Sequence, residues 1–285
     1  MDASYLPLFC DRDTGGGLEF VGAREGDELL DGTLLAEGRE VGEVVEGVAC
    51  LWPHDNWSED DLARTMTSDW LTRKWQDKVA YADPAAASFC EELAGLDGVI
   101  LEIAAGPGGG NLQGLLHRNP GARLMVNDTS TRLLQRWRRF LLEGKLAERV
   151  CFAAFDARSM ALRDESVSAV SGVAAFSNIG GPDVVDEAFR VLRPGGAIYT
   201  RDMVVDPDDW ARLPAGFRER EEARAPGFTR GTAGLLAHAG FRIVYEGSIP
   251  GRPLTADEDG IQEKADPYGV TLHVRFGDVK AWKPA

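Results

Sequence analysis

The stretch VILEIAAGPGGGNLQGLL, Val99 to Leu116, holds the residues whose types and spacing can do chemistry. An aliphatic run ends in an acid, passes into glycines and reopens as a helical pattern, the opening of a βαβ unit in which bare backbone meets a cofactor. Gly106, Gly108, Gly109 and Gly110 leave the main chain uncovered there. A phosphate-gripping loop needs a Lys-Ser/Thr pair after its last glycine, and Asn111-Leu112 stands instead, which argues against a nucleoside triphosphate. The dinucleotide pattern G-x-G-x-x-G fails too: Gly106 and Gly108 lead to Asn111, and a count from Ala104 starts without a glycine. An NAD or nucleotide-sugar enzyme on a similar fold is disfavoured on that ground. What remains is a cofactor with no phosphate.

The elements that must position this turn follow from periodicity. From Val99 onward, VILEIAA, ARLMVND, RVCFAAFDA, VSAVSGVAAFS and GGAIYTRDM alternate with helical patterns, which predicts a parallel sheet covered on both faces. GFRIVYEGSI and GVTLHVRFGDVKAW have no strong helical segment between them and predict a hairpin that adds an antiparallel strand. Upstream, Ser58 has an acid placed for capping, and Leu62, Met66, Trp70 and Leu71 recur at helical spacing. Two helices broken near Asp83-Pro84 are expected. Residues 1–53, rich in Gly and acids with alternating stretches such as GREVGEVVEGVACLWP, predict a small β-rich lobe ahead of a main domain at 54–285.

Composition narrows the partners. A chain of 285 residues with 44% hydrophobic content can bury a full core. No run approaches the roughly 18 apolar residues that span a bilayer, and MDASYLPLFCDRDTGG lacks the pattern of a signal peptide, so a cytoplasmic protein is expected. Against 31 basic residues stand 46 acidic ones, a net charge of -15, which disfavours a nucleic-acid partner because phosphate binding relies on clustered Lys and Arg. The run RLLQRWRRFL gathers Arg132, Arg136, Arg138 and Arg139 at helical spacing, the usual form of a solvated face. Cys10, Cys50, Cys90 and Cys151 include no Cys-x-x-Cys pair and read as reduced structural thiols.

With these elements in place, LEIAAGPG resembles the first motif of class I S-adenosylmethionine-dependent methyltransferases of the methyltransferase type 11-like kind, with Ala104 where the first glycine is usual. VNDTSTRLL resembles the end of the second strand with its acid, FDARSMALRDESVSAV the third-strand acid and the approach to strand four, and DEAFRVLRPGGAIYT the helix and Pro-Gly-Gly turn before strand five. The resemblance implies a Rossmann-like fold with a mostly parallel seven-stranded sheet and S-adenosyl-L-methionine as cofactor. Its matching positions imply roles. Glu102 serves the positively charged end of the cofactor through its network. Ala104, Gly106 and Gly108 let the main chain pass the methionine and ribose portions. Asp128, followed by Thr129, accepts the ribose hydroxyls, or else simply caps the next helix. Asp156 with the Ala157 backbone meets the adenine amino group, or is an ordinary loop turn, while Leu133 and Met160 sandwich the ring. Ser171 to Val173 line the cofactor, and Phe176, Ser177 and Asn178 face the transferred methyl.

The implied chemistry is methyl transfer to a small-molecule acceptor, for which alignment of donor and acceptor supplies much of the rate. His54 and Asn178 are candidate catalytic residues, although an Asn before Gly-Gly is ordinary turn chemistry as well. DGTLLAEGREVGEVVEGVACLWP looks like the second half of a zinc-ribbon module without its cysteines, so no metal is expected. The lobe is read as a cover for the acceptor, with a packing or homodimer-forming module as the other use. An RNA methyltransferase, or a non-catalytic cofactor-binding protein, are the alternative functions.

Overall fold

The computed structural model describes residues 1–52, 55, 57–80, 84–119, 121–144, 146, 150–224, 231–254 and 261–285. Its strands are β1 (Glu19–Glu25), β2 (Glu28–Ala36), β3 (Arg39–Val45), β4 (Val48–Cys50), β5 (Val99–Glu102), β6 (Arg123–Asp128), β7 (Val150–Ala154), β8 (Val167–Val173), β9 (Leu192–Val205), β10 (Arg242–Pro253) and β11 (His273–Trp282). They form one sheet in the order β1-β2-β3-β4-β7-β6-β5-β8-β9-β11-β10. The run β7-β6-β5-β8-β9 is parallel, and β11 pairs antiparallel with β9 and β10. The five expected parallel strands and the antiparallel pair β10–β11 are therefore present, and the connection expected to be a loop holds a short helix at Ile261–Ala265.

Alternation along the strands divides the interior in two. Leu101, Met125, Cys151 and Ala153 point into one hydrophobic cluster, and their neighbours Ile100, Leu124, Val126 and Phe152 into another on the opposite face. Side chains buried on both faces need helices on both. The second face is covered by α1 (Glu59–Thr65), α2 (Ser68–Ala80), α3 (Pro84–Ala94), α4 (Leu112–Arg118) and α5 (Thr131–Glu143), through Leu62, Leu71, Leu93, Leu115 and Trp137. The first face is covered by α6 (Ala175–Ile179), α7 (Asp183–Val191) and, after α8 (Pro207–Ala211) and α9 (Ala215–Arg224), by α10 (Thr232–His238). A third cluster joins Trp210 and Phe217 of α8 and α9 to Ile261 and Ala265 of α11 (Ile261–Ala265).

Two expectations change. The segment read as two helices holds three, because Met66 leaves helical geometry at φ -106°, ψ 56° after a helix that Ser58 caps by accepting the Asp61 N–H. The second break falls at Pro84, the first residue of α3. The N-terminal segment is β-rich, yet its strands extend the main sheet instead of standing apart as a lobe. β4 pairs in parallel with β7, so the unpaired backbone groups that β7 would present at an edge are satisfied. Met1, Tyr5, Phe9, Leu29 and Leu34 are buried in the same cluster as Phe155, Met160 and Leu162. These strands lie beyond β7, with β6 and β5 between them and β8, so they border the Asp156 end of the sheet and not the Val173–Asn178 end expected for the acceptor.

Candidate functional site

The glycine turn after β5 is built by two opposite demands. At Gly109, with φ +71°, an added Cβ would lie 2.7 Å from the Trp137 ring, and at Gly110, with φ +52°, it would lie 1.8 Å from Glu102 Oε1. Those two glycines are small because the protein packs against them. At Gly108 an added Cβ would meet nothing within 4 Å, and at Gly106, with φ +56°, only the Ala104 carbonyl at 3.9 Å. Their bareness faces open space, the form expected where a ligand runs along main chain.

The turn is held from beneath. Glu102 is fully buried, and its Oε1 accepts the Asn111 N–H at 2.9 Å while Oε2 accepts the Ser171 hydroxyl. Glu102 thereby fixes the turn to the end of β8. Trp137 Nε1 donates to the Gly106 carbonyl at 3.1 Å, and Gln113 Nε2 donates to the Gly108 carbonyl at 3.0 Å. Ala104 has φ +47°, a left-handed conformation that costs an L-residue about 1–2 kcal/mol. The glycine usual at this position thus answers a backbone demand as well as making room for a ligand. Asn127, 1% exposed, compensates: its Nδ2 donates to the carbonyls of Ala153 and Phe155 at 3.2 and 2.8 Å, and its Oδ1 accepts the Ala104 N–H at 3.5 Å. One amide thereby ties the carboxyl ends of three neighbouring strands.

Asp128 ends β6 beside this turn, and its Oδ2 accepts the Gly106 N–H at 2.9 Å while Oδ1 accepts the Ser130 N–H at 3.0 Å. Burial pushes its carboxyl above the ordinary value against the pull of these N–H groups and that of Thr129, and the nearby Asp55 adds to the rise. Helix capping falls to Ser130, whose Oγ accepts the Leu133 N–H, so capping does not account for Asp128. Asp156, at the end of β7, is held by its own neighbour Arg158, whose Nη2 donates to Oδ2 at 2.7 Å. Burial would raise this carboxyl, and the Arg158 guanidinium and N–H outweigh it and hold it below the ordinary value.

Four sequence expectations are corrected here. Leu133 and Met160 are both 0% exposed and lie in the clusters on opposite faces of the sheet, so they form core and do not sandwich a ring. Phe176 is likewise 0% exposed, and Ser177 turns inward with its N–H donated to Asp202 Oδ1 at 3.0 Å, which leaves Asn178 as the exposed residue of that trio. Helical spacing alone does not tell a ligand-facing residue from a core one. Val173 is half-buried at the end of β8, Ala157 is buried, and His54 lies outside the described residues. Asn127, Arg158 and Asp55 were not singled out from sequence. The Asn before Asp128 and the Arg two residues after Asp156 carry no spacing signal of their own.

Among the described residues no group of three or more His, Cys, Asp or Glu is placed to hold a metal ion, and no helix is long and apolar enough to cross a membrane.

A parallel sheet closed by an antiparallel hairpin, with a glycine turn after its central strand and an acid at the end of the next, is the class I methyltransferase fold. Residues 101–200 match the family model described as "Methyltransferase domain". The ubiquinone/menaquinone biosynthesis C-methyltransferase of Paracoccus denitrificans is 36% identical over 150 residues, 51% of this chain and 55% of that protein. The protein of the same name from Methylococcus capsulatus is 28% identical over 107 residues, 36% of this chain and 42% of that one. The chain therefore spans about half the length of the curated relatives it matches. Among solved structures, a Bacillus halodurans protein described as a putative methyltransferase aligns with TM-score 0.51 and 19% identity, covering 70% of this chain and 99% of that one. Geranyl diphosphate C-methyltransferase from Streptomyces coelicolor, in complex with Mg2+, geranyl diphosphate and S-adenosyl-L-homocysteine, aligns with TM-score 0.50 and 16% identity, covering 74% of this chain and 83% of that one.

Proposed function

We propose that this chain is an S-adenosylmethionine-dependent methyltransferase that acts on a small-molecule acceptor. The observation that carries the cofactor reading is the pair Gly106 and Gly108, bare toward open space, with Asp128 set against Gly106 from the next strand. A zwitterionic amino acid, a sulfonium and a ribose diol suit carboxylates and uncovered main chain, where a phosphate would want cations. When bound, this cofactor supplies a methyl carbon already activated by the sulfonium. Asp128 accepts the ribose hydroxyls. The turn from Ala104 to Gly108 runs along the methionine portion, and Glu102 and Asn127 hold that turn in register. The chain's contribution to rate is alignment of donor with acceptor, which needs no dedicated base in its simplest form.

Acceptor chemistry is constrained by charge. At -15 overall, the chain disfavours a polyanionic acceptor such as RNA. Both curated relatives are named C-methyltransferases, which supports a carbon acceptor here. Two measurements test the proposal. Calorimetry with S-adenosylhomocysteine should show Asp128→Ala weakening binding by about 10- to 150-fold, the loss of a charge-assisted contact of about 1.5–3 kcal/mol; unchanged affinity removes the assignment. Incubation with methyl-labelled donor should place label in a small-molecule extract, and label in RNA instead would overturn the acceptor class.

A further inference from the structure

We infer that Asp55, seated on the first turn of α5, is the positioning residue for Asp128 in the cofactor site, an inference that rests on the cofactor proposed above. Leu51 donates its N–H to the Ala154 carbonyl, at the end of β7, at 2.8 Å. Asp55 then seats on the first turn of α5, the helix that follows β6. Its Oδ1 accepts the Ser130 hydroxyl at 2.6 Å and the Trp57 N–H at 3.0 Å, and its Oδ2 accepts the Arg132 N–H at 3.0 Å. Arg132 Nη1 donates to the Trp57 carbonyl at 3.1 Å, and Arg136 pairs with Glu59, so the chain stays on α5 beyond the anchor. β7 and β6 are neighbours whose carboxyl ends carry Asp156 and Asp128, so Leu51 and Asp55 are each tied to an element next to one of these acids.

Ser130 couples the anchor to the site. Its hydroxyl oxygen accepts the Leu133 N–H at 3.1 Å and its proton goes to Asp55, while its own N–H goes to Asp128 Oδ1. Ser130 therefore bridges two carboxylates, one on each side of its peptide. The other oxygen of Asp128 is fixed by Gly106, so the carboxylate has one orientation, set by Asp55 through Ser130 and by the glycine turn. Ser130 takes the Leu133 N–H and Asp55 the Arg132 N–H, so both serve the first turn of α5, and the Ser130 hydroxyl bond to Asp55 is the contact beyond capping that links Asp55 to Asp128. Asp55 is the charged group that acts on Asp128, while the Arg132 guanidinium of α5 is engaged on the Trp57 carbonyl and Asp156 of β7 is paired with Arg158. The glycine turn contributes backbone N–H only.

The test is calorimetry with S-adenosylhomocysteine on Asp55→Asn and Ser130→Ala across pH, alongside thermal melts. A positioning role predicts that Asp55→Asn loses about tenfold in affinity at neutral pH. It also predicts that the pH at which affinity is lost moves downward, since a neighbouring negative charge has been removed from Asp128. Ser130→Ala should weaken binding too, and the double variant should lose no more than the larger single loss. A lowered melting temperature with wild-type affinity and an unmoved pH profile would mean helix capping only and overturn the inference. Hydrogen exchange on the wild-type chain covers the case of a variant that does not fold: S-adenosylhomocysteine should slow exchange at Ser130, Arg132 and Trp57, whose N–H groups go to Asp128 and Asp55, and no change there overturns the inference. Failure of the wild-type chain to bind S-adenosylhomocysteine at all is a different result, and it removes the proposed cofactor itself.

Discussion

Gly108 and Gly110 stand two residues apart in one turn, and the structure predicts opposite fates for their alanine variants. At Gly110 the left-handed backbone costs an L-residue about 1–2 kcal/mol, and the new Cβ would fall 1.8 Å from Glu102 Oε1. Glu102 must then give up its hold on the Asn111 N–H or the Ser171 hydroxyl, at about 1–3 kcal/mol for a buried polar group left unpaired. Gly110→Ala is therefore expected to lose about 2–5 kcal/mol, which for a chain this long lowers the melting temperature by roughly 4–10 °C. At Gly108 the Cβ meets nothing within 4 Å and the backbone is outside the left-handed region, so the fold should be unchanged or slightly stabilised. The methyl would, however, occupy the space assigned to the cofactor, and S-adenosylhomocysteine affinity should fall by about tenfold or more. Scanning calorimetry and isothermal titration on both variants give the comparison. A Gly108→Ala chain that binds normally, or that melts as early as Gly110→Ala, would refute the assignment of open and packed glycines.

Asn127→Ala should melt well below wild type, by about 2–4 kcal/mol of stability, because the buried carbonyls of Ala153 and Phe155 lose their donor together; a circular-dichroism melt checks this. The affinity for S-adenosylhomocysteine should be flat near neutral pH and fall on acidification, since the ribose hydroxyls need ionised Asp128. The fall should begin above the range of an ordinary aspartate, because burial raises this carboxyl; titration calorimetry from pH 8 down to about pH 4 follows it. Asp202, fully buried with the Thr200 and Thr232 hydroxyls and the Ser177 N–H as donors, is also raised by burial. Its native form takes up a proton before its unfolded form does as pH falls, so wild type gains stability on acidification through that window. Asp202→Asn lacks this gain, and its melting temperature relative to wild type should drop steadily toward about pH 4.

The sequence was most legible where a local pattern has one physical solution. An aliphatic run, an acid, glycines and a helix define the β5 turn, and an acid at the end of the next strand defines Asp128, because both depend on residues adjacent in the chain. Ser58 as a cap and a helix break near Pro84 were legible for the same reason. Partners distant in sequence were not. Alternation in GREVGEVVEGVACLWP, residues 38–53, announces strands but not that β4 will pair with β7, about a hundred residues on. Leu133, Met160 and Phe176 are apolar residues beside a site, and only the packed structure tells that each is enclosed by core. Asn127 and Asp55 do their work through backbone groups of other segments, which leave no mark on residue spacing.

A crystal structure of the chain with S-adenosylhomocysteine bound tests the central claim most directly. It should place the ribose hydroxyls within hydrogen-bonding distance of Asp128 and the amino-acid portion along Gly106 and Gly108. Ligand bound elsewhere, or Asp128 left on Gly106 and Ser130 with no contact to the ribose, would contradict it.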